Sequence, residues 1–203
     1  MIAIIDYGVG NLFSVRSSFK HIGYDAVVTG DKEIIESCDK ILLPGVGAFE
    51  DAIAKLRKTG LDKVLIDQAK KGKKIMGICL GMQLLFECSY EFGEHRGLGL
   101  LKGSVVGMQG EIPSELKIPH IGYNALIFKK NHPLFKYIND GDYVYFVHSY
   151  YAEGCEDSLL ATTEYGKELT AIVGKDNVMG CQFHPEKSGD VGLNILRAFC
   201  EME

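Results

Sequence analysis

Residues 77–81 read Gly-Ile-Cys-Leu-Gly, between an all-apolar run at 75–78 and a second apolar stretch carrying Met82, Leu84, Leu85 and Phe86. A nucleophile framed by two glycines, where a buried strand meets a helix, has the form of a strand–turn–helix elbow, here with cysteine in place of serine. Small flanking residues let the chain turn sharply and leave the thiol exposed at the carboxyl end of the sheet, where open α/β sheets place their ligands. A helix starting there adds a positive dipole end and free N–H groups, both favouring thiolate over thiol. The plain alternative is a buried, inert cysteine beside tight-turn glycines. That alternative accounts well for Cys38, Cys88, Cys155, Cys181 and Cys200. The glycine frame separates Cys79 from them and makes it the expected nucleophile.

A cysteine nucleophile needs a base and a group to orient that base. His184-Pro185-Glu186 follows an expected strand at 178–183, and an imidazole with a carboxylate two residues on can form a base–orienter pair. His-Pro is also a common turn and recurs at His132-Pro133, but there the residue two beyond the histidine is Leu134. Pro44-Gly45-Val46-Gly47, directly after a third apolar run, is a strand-ending turn that can also turn a backbone N–H toward a developing oxyanion. The N–H of Leu80, next to the nucleophile, supplies a second donor. The order Cys, then His-x-Glu, differs from the Ser…Asp…His order of ordinary α/β-hydrolases, so an esterase is not the natural reading.

These groups need a scaffold, and the first half of the chain reads as one. Strands are expected at 2–5, 26–29, 40–43 and 75–78. Leu12, Val15, Phe19 and Ile22 recur at helical spacing and close at Gly23; Leu61, Val64, Leu65 and Ala69 do the same and close at Gly72. Wholly apolar strands separated by helices imply an α/β fold, an open and mostly parallel sheet with helices on both faces. From Leu98 to Val147 the pattern turns β-rich, with turns at Gly110-Glu111, Asn131-His132-Pro133 and Asn139-Asp140-Gly141. Tyr143 to Tyr150 is the most strand-like stretch, and Val191, Ile195 and Phe199 mark a C-terminal helix. With no linker, repeat or charge block, residues 1–203 read as a single domain.

Other chemistries are weakened by the same residues. Gly8-Val9-Gly10 and Gly45-Val46-Gly47 would need a third glycine for a dinucleotide fingerprint, and those positions are Phe13 and Glu50. The 203 residues carry 22 Lys+Arg against 27 Asp+Glu, a net charge of −5 that disfavours general binding to nucleic acid or anionic membranes. The longest apolar run, 75–86, falls short of a membrane span and is broken by Gly77, Gly81 and Gln83. Asp6 follows Met-Ile-Ala-Ile-Ile at once, so the opening run reads as a strand, not a signal peptide, and the expected location is the cytoplasm. There the six cysteines stay reduced. Cys181 and His184 form a lone pair, so neither a metal nor a cofactor is expected.

Taken together the motifs resemble class I (triad) glutamine amidotransferases. Gly77-Ile78-Cys79-Leu80-Gly81-Met82-Gln83, the Pro-Gly-Val-Gly turn and His184-Pro185-Glu186 carry that likeness. Asp6-Tyr7-Gly8-Val9-Gly10-Asn11, Val147-His148-Ser149-Tyr150 and Lys187-Ser188 are most similar to the glutaminase subunits of imidazole glycerol phosphate synthases. The likeness runs from Ile2 to the last helix and implies a flavodoxin-like sheet and a Cys79–His184–Glu186 triad. It implies an oxyanion hole from Leu80 and Val46 or Gly47, with Gly45, Gln83, Glu91, Ser149 and Tyr150 around the substrate glutamine. It also implies a separate (β/α)8 cyclase subunit that takes the ammonia in histidine biosynthesis, with Asn11, Tyr123 and Lys187 as docking candidates. For those three, solvated surface polarity is the competing reading. A glutaminase feeding another acceptor, a free-standing cysteine hydrolase and a non-catalytic binding domain are the rival functions, the complete triad arguing against the last.

Overall fold

In the computed structural model, which describes residues 1–203, the first half of the chain alternates strands and helices. These are β1 (Ile2–Ile5), α1 (Leu12–His21), β2 (Ala26–Thr29), α2 (Lys32–Ser37), β3 (Lys40–Gly45), α3 (Phe49–Thr59), α4 (Leu61–Lys70), β4 (Lys74–Cys79) and α5 (Leu80–Gln83). The second half is mostly strand: β5 (Cys88–Ser89), β6 (His95–Arg96), β7 (Ser104–Gly107), β8 (His120–Ala125), β9 (Ile127–Phe128), β10 (Tyr143–His148), β11 (Tyr150–Glu153), β12 (Leu159–Glu164), β13 (Glu168–Lys175) and β14 (Val178–Cys181). The chain ends on α6 (Gly189–Glu201).

Eight strands form the main sheet in the order β2-β1-β3-β4-β14-β13-β12-β9. The β2-to-β14 segment is parallel and the rest antiparallel, so the expected mostly parallel α/β sheet is what the chain builds. Alternation along the strands splits the core in two. Ala3, Ile5, Ile41, Leu43 and Ile75 face α2, α3 and α4 through Ile35, Phe49, Leu56 and Leu65. Ile2, Ile4, Leu42, Met76 and Ile78 face α1 and α6 through Val15, Phe19, Ile195 and Phe199. Strands buried on both faces must be continuously apolar, which is why those runs show no polar alternation. No helix is long and apolar enough to cross a membrane.

Four local expectations need correction. Strand β14 ends at Cys181 rather than at Phe183. The helix after Cys79 is one turn only, α5, and Leu84 to Phe86 lie beyond it as fully buried turn residues. A single turn sums few peptide dipoles, so the dipole contribution argued for a longer helix is small. Tyr143 to Tyr150 is not one strand: it breaks at Ser149, β10 pairing with β8 and β11 with β7. Helix α3 was not anticipated, although Phe49, Ala52, Ile53 and Leu56 follow helical spacing and are all buried.

Candidate active site

The site is assembled by register. Along parallel neighbours Gly45 lies opposite Cys79, and Cys181 opposite Ile78. Whatever follows β3, β4 and β14 therefore emerges together at one edge of the sheet. Those continuations are Val46-Gly47, Leu80-Gly81 and Gln182-Phe183-His184.

Cys79 sits at φ +53°, ψ −113°, a conformation that a residue with a side chain rarely adopts. The flanking glycines permit it by close approach. A Cβ on Gly81 would stand 1.8 Å from the Leu43 carbonyl oxygen, one on Gly77 would stand 2.6 Å from the Gly81 and Met82 backbone, and one on Gly45 would stand 2.7 Å from the Gly81 nitrogen. The thiol is not exposed on the surface as the sequence suggests. Cys79 is 7% exposed and opens only onto a cavity.

His184 and Glu186 are both buried, and His184 Nδ1 lies 2.8 Å from Glu186 Oε1. That contact leaves the imidazole Nε2 for the sulfur. Burial works against charge on His184, but hydrogen bonding to Cys79 and to Glu186 outweighs it and lifts the imidazole to about 9. An imidazolium beside a cysteine favours thiolate. The turn holding the pair is tied down from several sides. The Ser188 hydroxyl donates to the His184 carbonyl at 2.7 Å, the Tyr145 N–H donates to Ser188 Oγ at 2.9 Å, and the His184 N–H donates to the Tyr145 carbonyl at 3.0 Å.

The cavity has a volume of about 490 Å³, within the usual span of small-molecule sites. Cys79, Leu80, Val46, Gly47, Gln83, Glu91, Ser149, Tyr150, His184 and Lys187 line it. Gly45 lies behind the lining, against Gly81 and the Tyr7 hydroxyl, and that hydroxyl donates to the Pro44 carbonyl at 2.8 Å. Gly47 has φ +95° and open space where a Cβ would be, and Val46 is 43% exposed.

A family model described as glutamine amidotransferase class-I matches residues 3–202. The chain belongs to the class I glutamine amidotransferases. Among its relatives, a protein of Caldanaerobacter subterraneus subsp. tengcongensis named imidazole glycerol phosphate synthase subunit HisH is 55% identical over all of this chain and 98% of that protein. A protein of the same name from Lactococcus lactis is 50% identical over 98% of both chains. The solved structure of PurLQS from Thermotoga maritima shares the fold, with a TM-score of 0.74 at 21% identity over 98% of this chain and 96% of that one.

In this amidotransferase the expected glutamine-binding residues carry second duties. Gln83 Nε2 donates to Gln182 Oε1 at 3.0 Å and to the Tyr150 carbonyl at 3.2 Å. Glu91 Oε2 accepts the Phe49 N–H at 2.7 Å, which ties the cavity rim to the start of α3. The docking candidates divide. Tyr123 donates to the Lys187 carbonyl at 2.7 Å, and the Lys187 ammonium stands 5.7 Å from the Tyr145 ring centre, so these two join on the β8–β10 face. Asn11 is the N-cap of α1, accepting the Ser14 N–H at 3.4 Å, and stands outside the cavity.

Sequence reasoning missed Gln182, Phe92, Pro119, Val147 and His148. Phe92, itself at φ +53°, lines the mouth with its ring 6.5 Å from that of Tyr150. His148 Nε2 lies 3.0 Å from His120 Nδ1, and its Nδ1 donates to the Tyr150 carbonyl at 2.9 Å. Burial pushes His148 down to about 3. Val147 and His148 stand in a motif already quoted, and Gln182 lies two places before a histidine already singled out, but nothing in a one-dimensional pattern signals Phe92 or Pro119.

Proposed function

We propose that the amidotransferase is the glutaminase subunit of imidazole glycerol phosphate synthase and that Cys79 carries its chemistry. The Cys79 thiolate attacks the side-chain carbonyl of glutamine. The N–H of Leu80 and that of Val46 or Gly47 hold the oxyanion, and His184, oriented by Glu186, protonates the departing ammonia. Water, activated by the now neutral His184, then cleaves the thioester and releases glutamate. Gln83, Glu91, Ser149 and Tyr150, which line the cavity, hold the main-chain groups of glutamine, with Gly45 behind them.

The observation that carries this reading is the Cys79–His184–Glu186 constellation: Cys79 and His184 line the cavity, Glu186 lies 2.8 Å behind the imidazole, and hydrogen bonding to both neighbours raises His184 above the ordinary imidazole range. No cofactor or metal takes part in these steps. Ammonia passes to a (β/α)8 cyclase subunit that makes imidazole glycerol phosphate and AICAR in the cytoplasm. Support for a partner comes from exposed Ile121, Tyr123 and Tyr143, which share one face of the β8–β10 ribbon beside Lys187. Apolar side chains clustered in this way mark interaction surfaces. Tyr123 and Lys187 belong to that docking surface, and Asn11, at the start of α1, is a separate docking candidate.

The test is Cys79→Ala in the reconstituted synthase. Glutamine-dependent synthesis is abolished while synthesis from added ammonium salt continues. Retained glutamine use, or loss of both activities in a folded complex, refutes the reading.

A further inference from the structure

Gln182 is fully buried and bridges two groups of the site. Its Nε2 lies 3.6 Å from Cys79 Sγ, and its Oε1 accepts from Gln83 Nε2 at 3.0 Å. Which end of each amide faces which neighbour follows from donor and acceptor accounting. The Tyr150 main-chain carbonyl can only accept, so the Gln83 group that meets it at 3.2 Å must be the NH₂. The same NH₂ meets Gln182, so Gln182 presents its oxygen there and its own NH₂ to the sulfur. Reversing Gln83 sets oxygen against oxygen, and reversing Gln182 sets one NH₂ against another, in a buried site, which is costly either way. A backbone carbonyl thus fixes the polarity of the whole chain.

We propose that Gln182 is a further catalytic residue of the glutaminase reaction, its amide N–H donating to Cys79 Sγ through a relay anchored on the Tyr150 carbonyl. This rests on the assignment of Cys79 as nucleophile. The donor acts twice. Before attack it holds the thiolate in place, sharing the sulfur with His184 and favouring the charged form. In the second half-reaction the C–S bond of the thioester breaks and its electron pair returns to sulfur, where the N–H meets the charge as it forms. No proton leaves Gln182 in either step. The relay also links nucleophile to substrate, since Gln83 and Tyr150 line the same cavity.

The experiment compares Gln182→Met and Gln182→Leu with the unsubstituted chain. Iodoacetamide alkylation of Cys79 is followed by mass spectrometry at about pH 7 and about pH 10, and glutaminase turnover is measured in the reconstituted synthase. Loss of a hydrogen bond to a charged group lowers the ratio of the two alkylation rates about tenfold and lowers kcat by a similar factor. A merely structural role moves thermal stability but leaves that ratio unchanged, and an unchanged ratio overturns the proposal. Should neither variant fold, the ¹⁵N-labelled chain decides. A side-chain amide proton of Gln182 shifts as Cys79 ionises and stops shifting in Cys79→Ala; a proton indifferent to Cys79 overturns the proposal. Cys79→Ala also separates the two levels of argument. Retained glutaminase activity there removes the nucleophile assignment itself, whereas an inactive Cys79→Ala with an unaltered Gln182 variant removes only the role of Gln182.

Discussion

Replacing Gly81 with alanine tests whether the elbow depends on close backbone approach. The added Cβ would lie 1.8 Å from the Leu43 carbonyl oxygen and 3.2 Å from the Pro44 carbonyl carbon. Carbon and oxygen rest no closer than about 3.3 Å, so α5 and the end of β3 must part by about 1.5 Å. Neither side yields cheaply. Strand β3 pairs with β1 and β4, and Leu43 itself is fully buried. Overpacking of this kind costs about 3 kcal/mol, which lowers Tm by roughly 6–12 °C in a chain of this size. The same displacement separates Cys79 from the Val46-Gly47 turn, and misplacement of about 1 Å reduces rate about a hundredfold. Thermal unfolding and glutaminase turnover in the reconstituted synthase are measured together. Gly110→Ala is the control: its φ is +83° with open space at the Cβ, so it costs about 1 kcal/mol without touching kcat. A Gly81→Ala protein with unaltered Tm and kcat would refute the argument that these glycines exist for close approach.

In the proposed triad the residues are unequal: His184→Ala is expected to remove proton transfer, whereas Glu186→Gln leaves a misoriented imidazole, so its expected loss in kcat is about a hundredfold smaller. Equal losses would mean that Glu186 does more than orient. Burial holds His148 at about 3 against an ordinary 6.5, so the unfolded chain binds the extra proton and stability falls as pH drops below 6.5, by about 1.4 kcal/mol per pH unit. Urea unfolding between pH 7 and 4 reads that slope, and His148→Gln flattens it by one proton; an unchanged slope removes His148 as its source. His184, raised to about 9, acts oppositely: its contribution is full below pH 6.5 and is lost as pH climbs toward 9, which unfolding at alkaline pH detects as a decline absent from His184→Ala. The isolated chain turns over glutamine slowly, by a factor of about 10² to 10³ relative to the complex, if one oxyanion donor is turned away until the partner docks. Equal turnover alone and in complex excludes that arrangement.

The proposed triad is legible because its members carry local signals: glycines around Cys79 and a carboxylate two residues after His184. Flanking apolar runs then sufficed to place them at strand ends. What the sequence hid is contact between distant segments. Gln182 reads as one polar residue among apolar neighbours, and only the pairing of β14 with β4 reveals that it faces Cys79. His148 and His120 are 28 residues apart and meet only because β10 and β8 pair in register His148↔His120. The one-turn length of α5 was hidden for another reason. Leu84, Leu85 and Phe86 are all buried whether or not the chain is helical, so apolar content past Gln83 carries no period to read.

The Pro44-Gly45-Val46-Gly47 turn shows how packing narrows a freedom suggested by composition. Two glycines around Val46 imply peptide planes free to rotate on both sides. Gly45, however, is held on all sides, with the Gly81 nitrogen at 2.7 Å and the Tyr7 hydroxyl at 2.9 Å from its Cβ position, while Tyr7 fastens the preceding carbonyl. Gly47 meets nothing within 4 Å and already occupies φ +95°, a region that glycine enters without steric cost. In the proposed oxyanion hole the peptide between Val46 and Gly47 is therefore the part of the turn with room to change. The elbow and the turn pack closely, Gly45 against Gly81 and Leu80, and Gly81 against Pro44, which keeps Cys79 in register beside the turn.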